Sequence, residues 1–123
     1  MHWVWLFVGG GIGAVARFGL AELVLARTGE GFPWGTLAVN WLGCAAIGAA
    51  AACFAATPHP PAARLFLVTG ILGGFTTFSA FGLETFELWN AGLGTQGLLY
   101  VAASVLGGVA AVALGFSAGR AIL

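Results

Sequence analysis

The run Gly73–Phe81, with the sequence GGFTTFSAF, interrupts an otherwise apolar stretch from Leu65 to Leu83. Glycine lowers helix stability, and threonine and serine side chains compete for backbone hydrogen bonds, so this run does not suit a simple lipid-facing helix. In hydrocarbon, an irregular backbone is tolerated only where protein buries it or where it lines a polar cavity. The run therefore predicts a functional break in a helix at membrane depth.

The composition of the chain places this run in a membrane protein. The 123 residues are 60% hydrophobic and 7% charged, with a mean hydropathy of +1.02. A soluble domain carries about 25% charged residues. Residues 31–63 and 88–119 are free of charge, and each stretch is long enough to cross a bilayer with a core of about 30 Å. The formal net charge of +0 gives no support for a nucleic-acid or anionic-surface partner.

The apolar pattern predicts four membrane spans within a single all-α domain, residues 1–123. The spans run from about Trp3 to Ala26, from Pro33 to Ala56, from Arg64 to Asn90 and from Leu98 to Gly119. Pro33 suits the first helical position of the second span, and a glycine-rich turn, Ala91 to Gly97, precedes the fourth. The third span would be about 40 Å long if fully helical, which is more than the hydrocarbon core needs. This excess fits a helix broken at its centre.

The basic residues near the span ends give little bias in orientation. Arg64 and Arg120 lie on the side of the two termini, and Arg27 lies on the other side. Lysine and arginine normally concentrate in cytoplasmic loops, and a bias of this size is too weak to fix the orientation. The pattern permits a chain that inserts both ways round, and equally an ordinary chain with its N-terminus inside.

Small residues predict close packing between the helices. Three pairs have the Gly-xxx-Gly spacing: Gly9 with Gly13, Gly70 with Gly74, and Gly115 with Gly119. Such pairs let helix backbones approach closely. Four short spans leave little room for both a packed core and an aqueous path, so we expect a second copy of the chain. The first two spans do not resemble the last two, and any inverted symmetry would have to come from that second copy.

Aromatic and amide side chains within the spans are the candidate ion contacts. Phe78 and Phe81 are three residues apart and share a helix face, where their positive ring edges would stabilise a passing anion; the alternative is apolar filler. Asn40 is the single amide in the second span, with Thr36 one turn before it. The amide either bonds across helices as a structural link or contacts the permeating ion.

Two further positions leave alternatives open. Tyr100 and Ser104 lie one turn apart on the fourth span and either extend a polar track or are an interfacial tyrosine and a back-bonded serine. Arg17 lies about 20 Å into the first span. It would reach the far interface, pair with Glu22 or Glu84, or line a wet vestibule that attracts anions.

The chain lacks the residue combinations of an enzyme. Neither His2 nor His59 has a serine or cysteine partner, and both lie outside the spans. Cys44 and Cys53 are predicted to point to opposite faces of one helix, so they cannot pair with each other, and neither has companions at metal-ligand spacing. We therefore expect a transport or structural role.

With these residues in view, the chain resembles the Fluc (CrcB) family of fluoride channels. The resemblance covers nearly the whole length and rests on the glycine-rich first helix with Arg17, on residues 35–40 (GTLAVN), and above all on Gly73–Phe81. It implies an antiparallel, dual-topology homodimer with two fluoride pores in the plasma membrane of a prokaryote, which is the inner membrane in a Gram-negative cell. It also implies a structural Na⁺ at the dimer centre.

The resemblance assigns roles to particular positions. Backbone carbonyls of Gly73 and Thr76 would bind the sodium ion. The expected pore residues are Phe78 and Phe81 with the polar contacts Thr36, Asn40, Ser79, Tyr100 and Ser104, and Arg17 is expected in a vestibule. The chain departs from the family pattern at two positions, because Gly108 stands where a hydroxyl residue is expected one turn after Ser104, and Ala80 replaces the more usual hydroxyl residue.

The function implied is passive export of fluoride, which relieves fluoride toxicity. Hydrogen fluoride crosses membranes as a neutral weak acid and dissociates in the less acidic cytoplasm, so a fluoride-selective pore lets the trapped anion leave. One alternative is a proton-coupled antiporter similar to the small multidrug-resistance proteins, which needs a carboxylate deep in the first helix. Here the deep ionisable residue of that helix is Arg17, and Glu22 lies near its end. Another alternative is an assembly subunit that transports nothing.

Overall fold

The computed structural model describes all 123 residues, and every element in it is helical. The helices are α1 (His2–Thr28), α2 (Trp34–Ala56), α3 (from Pro61 to Phe75), α4 (Phe78–Asn90) and α5 (Gly94–Ile122). Four helical segments are long and apolar enough to cross a membrane, and α3 and α4 together form one of them, Pro61–Asn90. The four predicted spans are confirmed, and the third is interrupted at its centre by Thr76 and Thr77.

The helix ends differ from the prediction at two places. Pro33 caps α2 with φ −78° and ψ 63°, so Trp34 and not Pro33 is the first helical residue. The turn before α5 is shorter than the predicted Ala91 to Gly97, because α5 begins at Gly94. Gly97 is a buried helical residue, and a Cβ built on it would lie 3.8 Å from the Cβ of Leu88. Within this turn Gly92 has φ 78°, the left-handed backbone that glycine favours, and Gly29 and Gly31 in the loop between α1 and α2 also have positive φ.

The first half of the third span has a conformation that the sequence did not predict. Leu65–Leu72 is π-helical and lies between a short α-helical turn, Pro61–Arg64, and the last turn of α3, Gly73–Phe75. A π-helix is wider than an α-helix and is rare; it occurs mostly as single turns within α-helices, frequently at functional sites. The predicted break is also narrower than Gly73 to Ser79, because Gly73 and Ser79 themselves are helical.

Glycines bring α1 into backbone contact with α3. A Cβ on Gly9 would lie 2.8 Å from the carbonyl oxygen of Phe66, and a Cβ on Gly70 would lie 3.2 Å from the Cα of Gly9. A Cβ on Gly13 would collide with the backbone of α3, and a Cβ on Gly74 would collide with the backbone of Gly10. A methyl group at these positions would force the helices apart, so the first two Gly-xxx-Gly pairs pack against each other.

Small residues also join α2 to α5. A Cβ on Gly119 would lie 2.9 Å from the Cβ of Ala52, and Gly115 contacts the backbone of Ala45 too closely to admit a side chain. Gly48 fits in the same way against Val112 on the opposite helix. The protomer is thus two tight helix pairs, and the prediction of close packing by small residues is confirmed within one chain.

Large buried side chains form one small cluster where α4 packs against the α2–α5 pair. Leu37, Leu88 and Tyr100 are buried there, and Phe32, Phe81 and Ala103 pack against them. Because this cluster holds α2, α4 and α5 together, it fixes the position of α4 after the break.

Candidate functional site

The break consists of two extended residues between two helices. Thr76 has φ −86° and ψ 156°, and Thr77 has φ −147° and ψ 121°. β-Branched residues favour this extended backbone. The hydroxyl of Thr76 donates to the Leu72 carbonyl at 3.0 Å, and the hydroxyl of Thr77 accepts the Ala80 N–H at 3.3 Å, which caps α4. The two threonines therefore end one helix and begin the next.

Asn40 on α2 binds both backbone groups of Thr77. Its Nδ2 donates to the Thr77 carbonyl at 2.9 Å, and its Oδ1 accepts the Thr77 N–H at 2.8 Å. The structure thus shows the structural link that was one of the two interpretations of this amide. One N–H of Nδ2 is not used in this pair, so the predicted ion contact is still open to Asn40.

Arg17 reaches the same break from α1. Its Nε donates to the carbonyl of Gly74 at 3.1 Å, in the last turn of α3. A cation is favoured there because a helix C-terminus carries partial negative charge. Among the alternatives for Arg17, pairing with Glu22 or Glu84 is wrong, because its acceptor is a backbone carbonyl. The structure does not test the vestibule role.

The carbonyls of Gly73 and Thr76, the predicted sodium ligands, lose their regular helical donors at the break. In a continuous helix, the Thr77 N–H would bond to the Gly73 carbonyl, and the Ala80 N–H would bond to the Thr76 carbonyl. These two N–H groups bond instead to Asn40 Oδ1 and to Thr77 Oγ1. Hard monovalent cations bind such carbonyl oxygens in discontinuous membrane helices, so the two residues fit a sodium site.

Glu84 forms a hydrogen-bonded triad with two of the predicted pore residues. The hydroxyl of Thr36 donates to its Oε1, and the hydroxyl of Tyr100 donates to its Oε2, each at 2.6 Å. Tyr100 is fully buried, between the rings of Phe32 at 5.4 Å and Phe81 at 5.3 Å. From the sequence, Glu84 is predicted only as a partner for Arg17. The signal that would have found the triad is that Glu84 is a carboxylate within an apolar span.

Phe78 and Phe81 lie together just after the break, as their spacing predicted. Their ring centroids are 5.5 Å apart with an interplanar angle of 54°. Phe81 is half-buried against Tyr100, whereas 82% of Phe78 is exposed on the surface of the protomer. The two rings therefore present one face, and part of it has no neighbour within a single chain.

A cavity of about 320 Å³ opens beside this face, between α2, α3, α4 and α5. Among the residues that line it are Asn40, Cys44, Thr76, Thr77, Phe78, Phe81 and Ser104. The oxygen of Ser104 is buried there and has no hydrogen-bond partner, so the alternative of a back-bonded serine is wrong. Ser79 lies outside the lining, and its hydroxyl is 3.3 Å from that of Thr77. Gly73 lines the cavity from the α3 side.

A broken helix, paired phenylalanines and a polar cavity occur together in a chain that matches a known protein family. A family model described as "CrcB-like protein, Camphor Resistance (CrcB)" matches residues 4–116. The chain belongs to the CrcB family. The resemblance found from the sequence motif is thereby confirmed over nearly the whole chain.

Curated relatives of this CrcB protein carry a more specific name. A protein of Rhizobium etli (strain CIAT 652) is 46% identical over 116 residues, covering 94% of this chain and 93% of the relative. A protein of Paracoccus denitrificans is 46% identical, covering 94% and 91%. A third, from Methylobacterium nodulans, is 48% identical, covering 87% and 86%. Each is named fluoride-specific ion channel FluC.

The pairing between Asn40 and Thr77 predicts a large loss of stability when the amide is removed. In Asn40→Ala, the N–H and the carbonyl of Thr77 lose their partner, at a cost of about 1–3 kcal/mol for each group that stays dry. Thr77→Ala keeps both backbone bonds and removes only the helix cap, which costs about 1 kcal/mol. Unfolding of the purified proteins in mixed detergent micelles measures the difference. Equal stability of the two variants would contradict this assignment.

Proposed function

We propose that this CrcB protein is a passive, fluoride-selective channel that lets fluoride leave the cytoplasm and so gives resistance to fluoride. The observation that carries this proposal is the identity of 45–48% to proteins named fluoride-specific ion channel FluC over most of their length. The broken span, with its cavity and its paired rings, supports a pore. The protein would be a channel rather than an enzyme.

The chemistry of the cavity suits a small, strongly hydrated anion. Fluoride gives up its water only where hydrogen-bond donors or other positive groups replace it. The buried, unpartnered hydroxyl of Ser104 supplies a donor, and the edges of Phe78 and Phe81 supply partial positive charge. We include Asn40 and Ser79 as further polar contacts, as the family resemblance implies.

Thr36 and Tyr100 would contribute to the path only after a local rearrangement. Both hydroxyl protons are donated to the carboxyl oxygens of Glu84, so neither proton is available to fluoride. For either hydroxyl to donate to the anion, its bond to Glu84 must open. Arg17 uses its Nε on Gly74, which leaves its terminal amino groups to attract anions in a vestibule.

The antiporter alternative has less support. It requires a carboxylate deep in the first span, but Glu22 is exposed near the end of α1. The half-buried carboxylate of this chain is Glu84 on α4, and its two oxygens are held by hydroxyl groups. A family match over residues 4–116 favours a channel.

We further propose that the working unit is an antiparallel homodimer. Phe78 is 82% exposed in the middle of a span, next to a cavity that is open on the same side of the protomer. A second copy would cover this ring and close the cavity into a path. An antiparallel arrangement agrees with the weak bias in basic residues, and it would create two equivalent pores.

The centre of that dimer is the proposed position of a structural Na⁺. The carbonyls of Gly73 and Thr76, from both copies, would hold it, and the ion would neutralise carbonyl dipoles that otherwise repel one another in a medium of low dielectric constant. Magnesium fits less well because it dehydrates reluctantly and prefers carboxylates and water. Because the ligands would be backbone atoms, binding of the ion would not require a particular side chain at position 73 or 76.

Efflux of fluoride from liposomes that contain only the purified protein tests the function. With a potassium ionophore to clamp the voltage, fluoride should leave rapidly while chloride stays trapped. Replacement of sodium by a large organic cation should slow the flux and leave the selectivity unchanged. Equal release of both anions, a requirement for a co-transported proton, or no flux at all would rule out the proposed channel.

Loss of either aromatic edge should slow fluoride strongly. Phe78→Ile and Phe81→Ile keep apolar bulk but remove the ring quadrupole, so the barrier to the anion rises; a loss of about 1.4 kcal/mol of stabilisation slows the flux tenfold. The same efflux assay measures this, with Phe86→Ile on the exposed face of α4 as the control. Wild-type flux in both pore variants would show that these rings only pack and do not contact the ion.

Antiparallel assembly predicts that chains insert both ways round. A cysteine added after Leu123, in a background without the two native cysteines, should react with a membrane-impermeant reagent in some molecules of intact cells and be protected in the rest. The expected labelling is near one half, rising to completion when the membrane is permeabilised. Labelling of all molecules or of none in intact cells would exclude dual topology.

A further inference from the structure

We propose that the Cys44 thiol is an additional pore contact, which supplies the hydrogen-bond donor that Gly108 cannot supply. This inference rests on the proposed channel function and names one more residue of its path. The family resemblance leads to the expectation of a hydroxyl one turn after Ser104, and Gly108 stands at that position. The structure identifies a side chain from another helix that occupies the adjoining space.

The geometry places the two positions side by side. A Cβ built on Gly108 would meet one atom within 4 Å, the sulfur of Cys44, at 3.5 Å. This is an ordinary van der Waals contact, so the thiol on α2 fills the region into which a side chain at position 108 on α5 would project. Cys44 lies one helical turn after Asn40, and both residues line the 320 Å³ cavity.

A second observation indicates that this part of the cavity receives a ligand. The oxygen of Ser104, which lines the same cavity, is buried without a hydrogen-bond partner. A buried hydroxyl in that condition is costly unless something binds it. Cys44 also makes no side-chain hydrogen bond within the protomer, and it is free. The cavity thus contains two donors, a hydroxyl and a thiol, and the protein uses neither.

The chemistry of the thiol is compatible with passage of an anion. An S–H group is a weak donor compared with a hydroxyl, but its contribution grows in a low-dielectric cavity. A weak contact also suits conduction, in which an ion must leave each site as readily as it enters. The competing explanation is that Cys44 is a small apolar side chain that only fills space.

Substitutions that separate donation from size test the proposal. Cys44→Ala removes the donor, and fluoride flux should fall roughly tenfold, the effect of one lost hydrogen bond. Cys44→Ser keeps a donor of similar size and should retain the flux. Cys53→Ala is the matched control, because Cys53 lies at the end of α2 beside His59, 3.7 Å away, and outside the cavity.

Rescue from the opposite helix is the decisive measurement. In the double variant C44A/G108S, a hydroxyl returns to the same region from α5, where the missing sulfur leaves room for it, and the flux should recover. If Cys44 only filled space, a hydroxyl introduced on α5 would not restore the flux. Wild-type flux in Cys44→Ala would overturn the proposal. It would also be overturned if C44S and C44A/G108S both assembled correctly as dimers but neither carried flux.

Chemical modification gives an independent result should Cys44→Ala fail to assemble. In assembled C53A protein, methyl methanethiosulfonate transfers its methylthio group to Cys44: the thiolate attacks the reagent, the new disulfide forms, methanesulfinate leaves, and the thiol proton goes to water. Flux should stop and return on reduction, and C44S/C53A should be unaffected. Complete modification, seen by mass spectrometry, without loss of flux would count against Cys44. Absence of fluoride-selective flux in the untreated wild-type protein would instead count against the channel function.

Discussion

The requirement to satisfy backbone polar groups within hydrocarbon governs this structure. A membrane-spanning helix meets that requirement by itself, and a broken one does not, because each unpaired group costs several kcal/mol. Here the side chain of Asn40 takes both backbone groups of Thr77, and Arg17 takes the carbonyl of Gly74. The break persists because these two residues, on α2 and α1, replace the hydrogen bonds that a continuous helix would make.

The close helix packing follows from this requirement. Asn40 and Arg17 reach the break only if α1 and α2 approach it closely. Gly13 has no room for a side chain against α3, and a Cβ on Gly43 would collide with Thr76 and lie 3.3 Å from the ring of Phe75. Glycine at these positions therefore does more than allow association of helices. It sets the distance at which the two polar side chains can satisfy an irregular backbone.

The sequence predicted the features that are local in the chain, and it missed most of those that depend on distant partners. The span limits and the centre of the break follow from hydropathy and from the residue types of Gly73–Phe81. The bond from Arg17 to Gly74 and the triad at Glu84 join residues 57, 48 and 16 positions apart, and several partners were equally compatible with the pattern. The π-helical segment Leu65–Leu72 has no composition that separates it from an α-helix. Such features arise from tertiary packing, which a single sequence does not encode in any periodicity.

The same principle explains where an ion would find contacts. Groups that the protein has already paired, such as the hydroxyls on Glu84 and the amide oxygen of Asn40, are costly to release. The groups that remain free to meet an anion include the hydroxyl of Ser104, the thiol of Cys44 and the edges of two aromatic rings, and none of them carries a full charge. No aspartate, glutamate, lysine, arginine or histidine side chain lines the cavity, so the side chains within it offer an anion only dipoles and ring edges. A fixed cation would bind fluoride more tightly but would also hold it, whereas conduction needs contacts that are sufficient to replace water and weak enough to let the ion go.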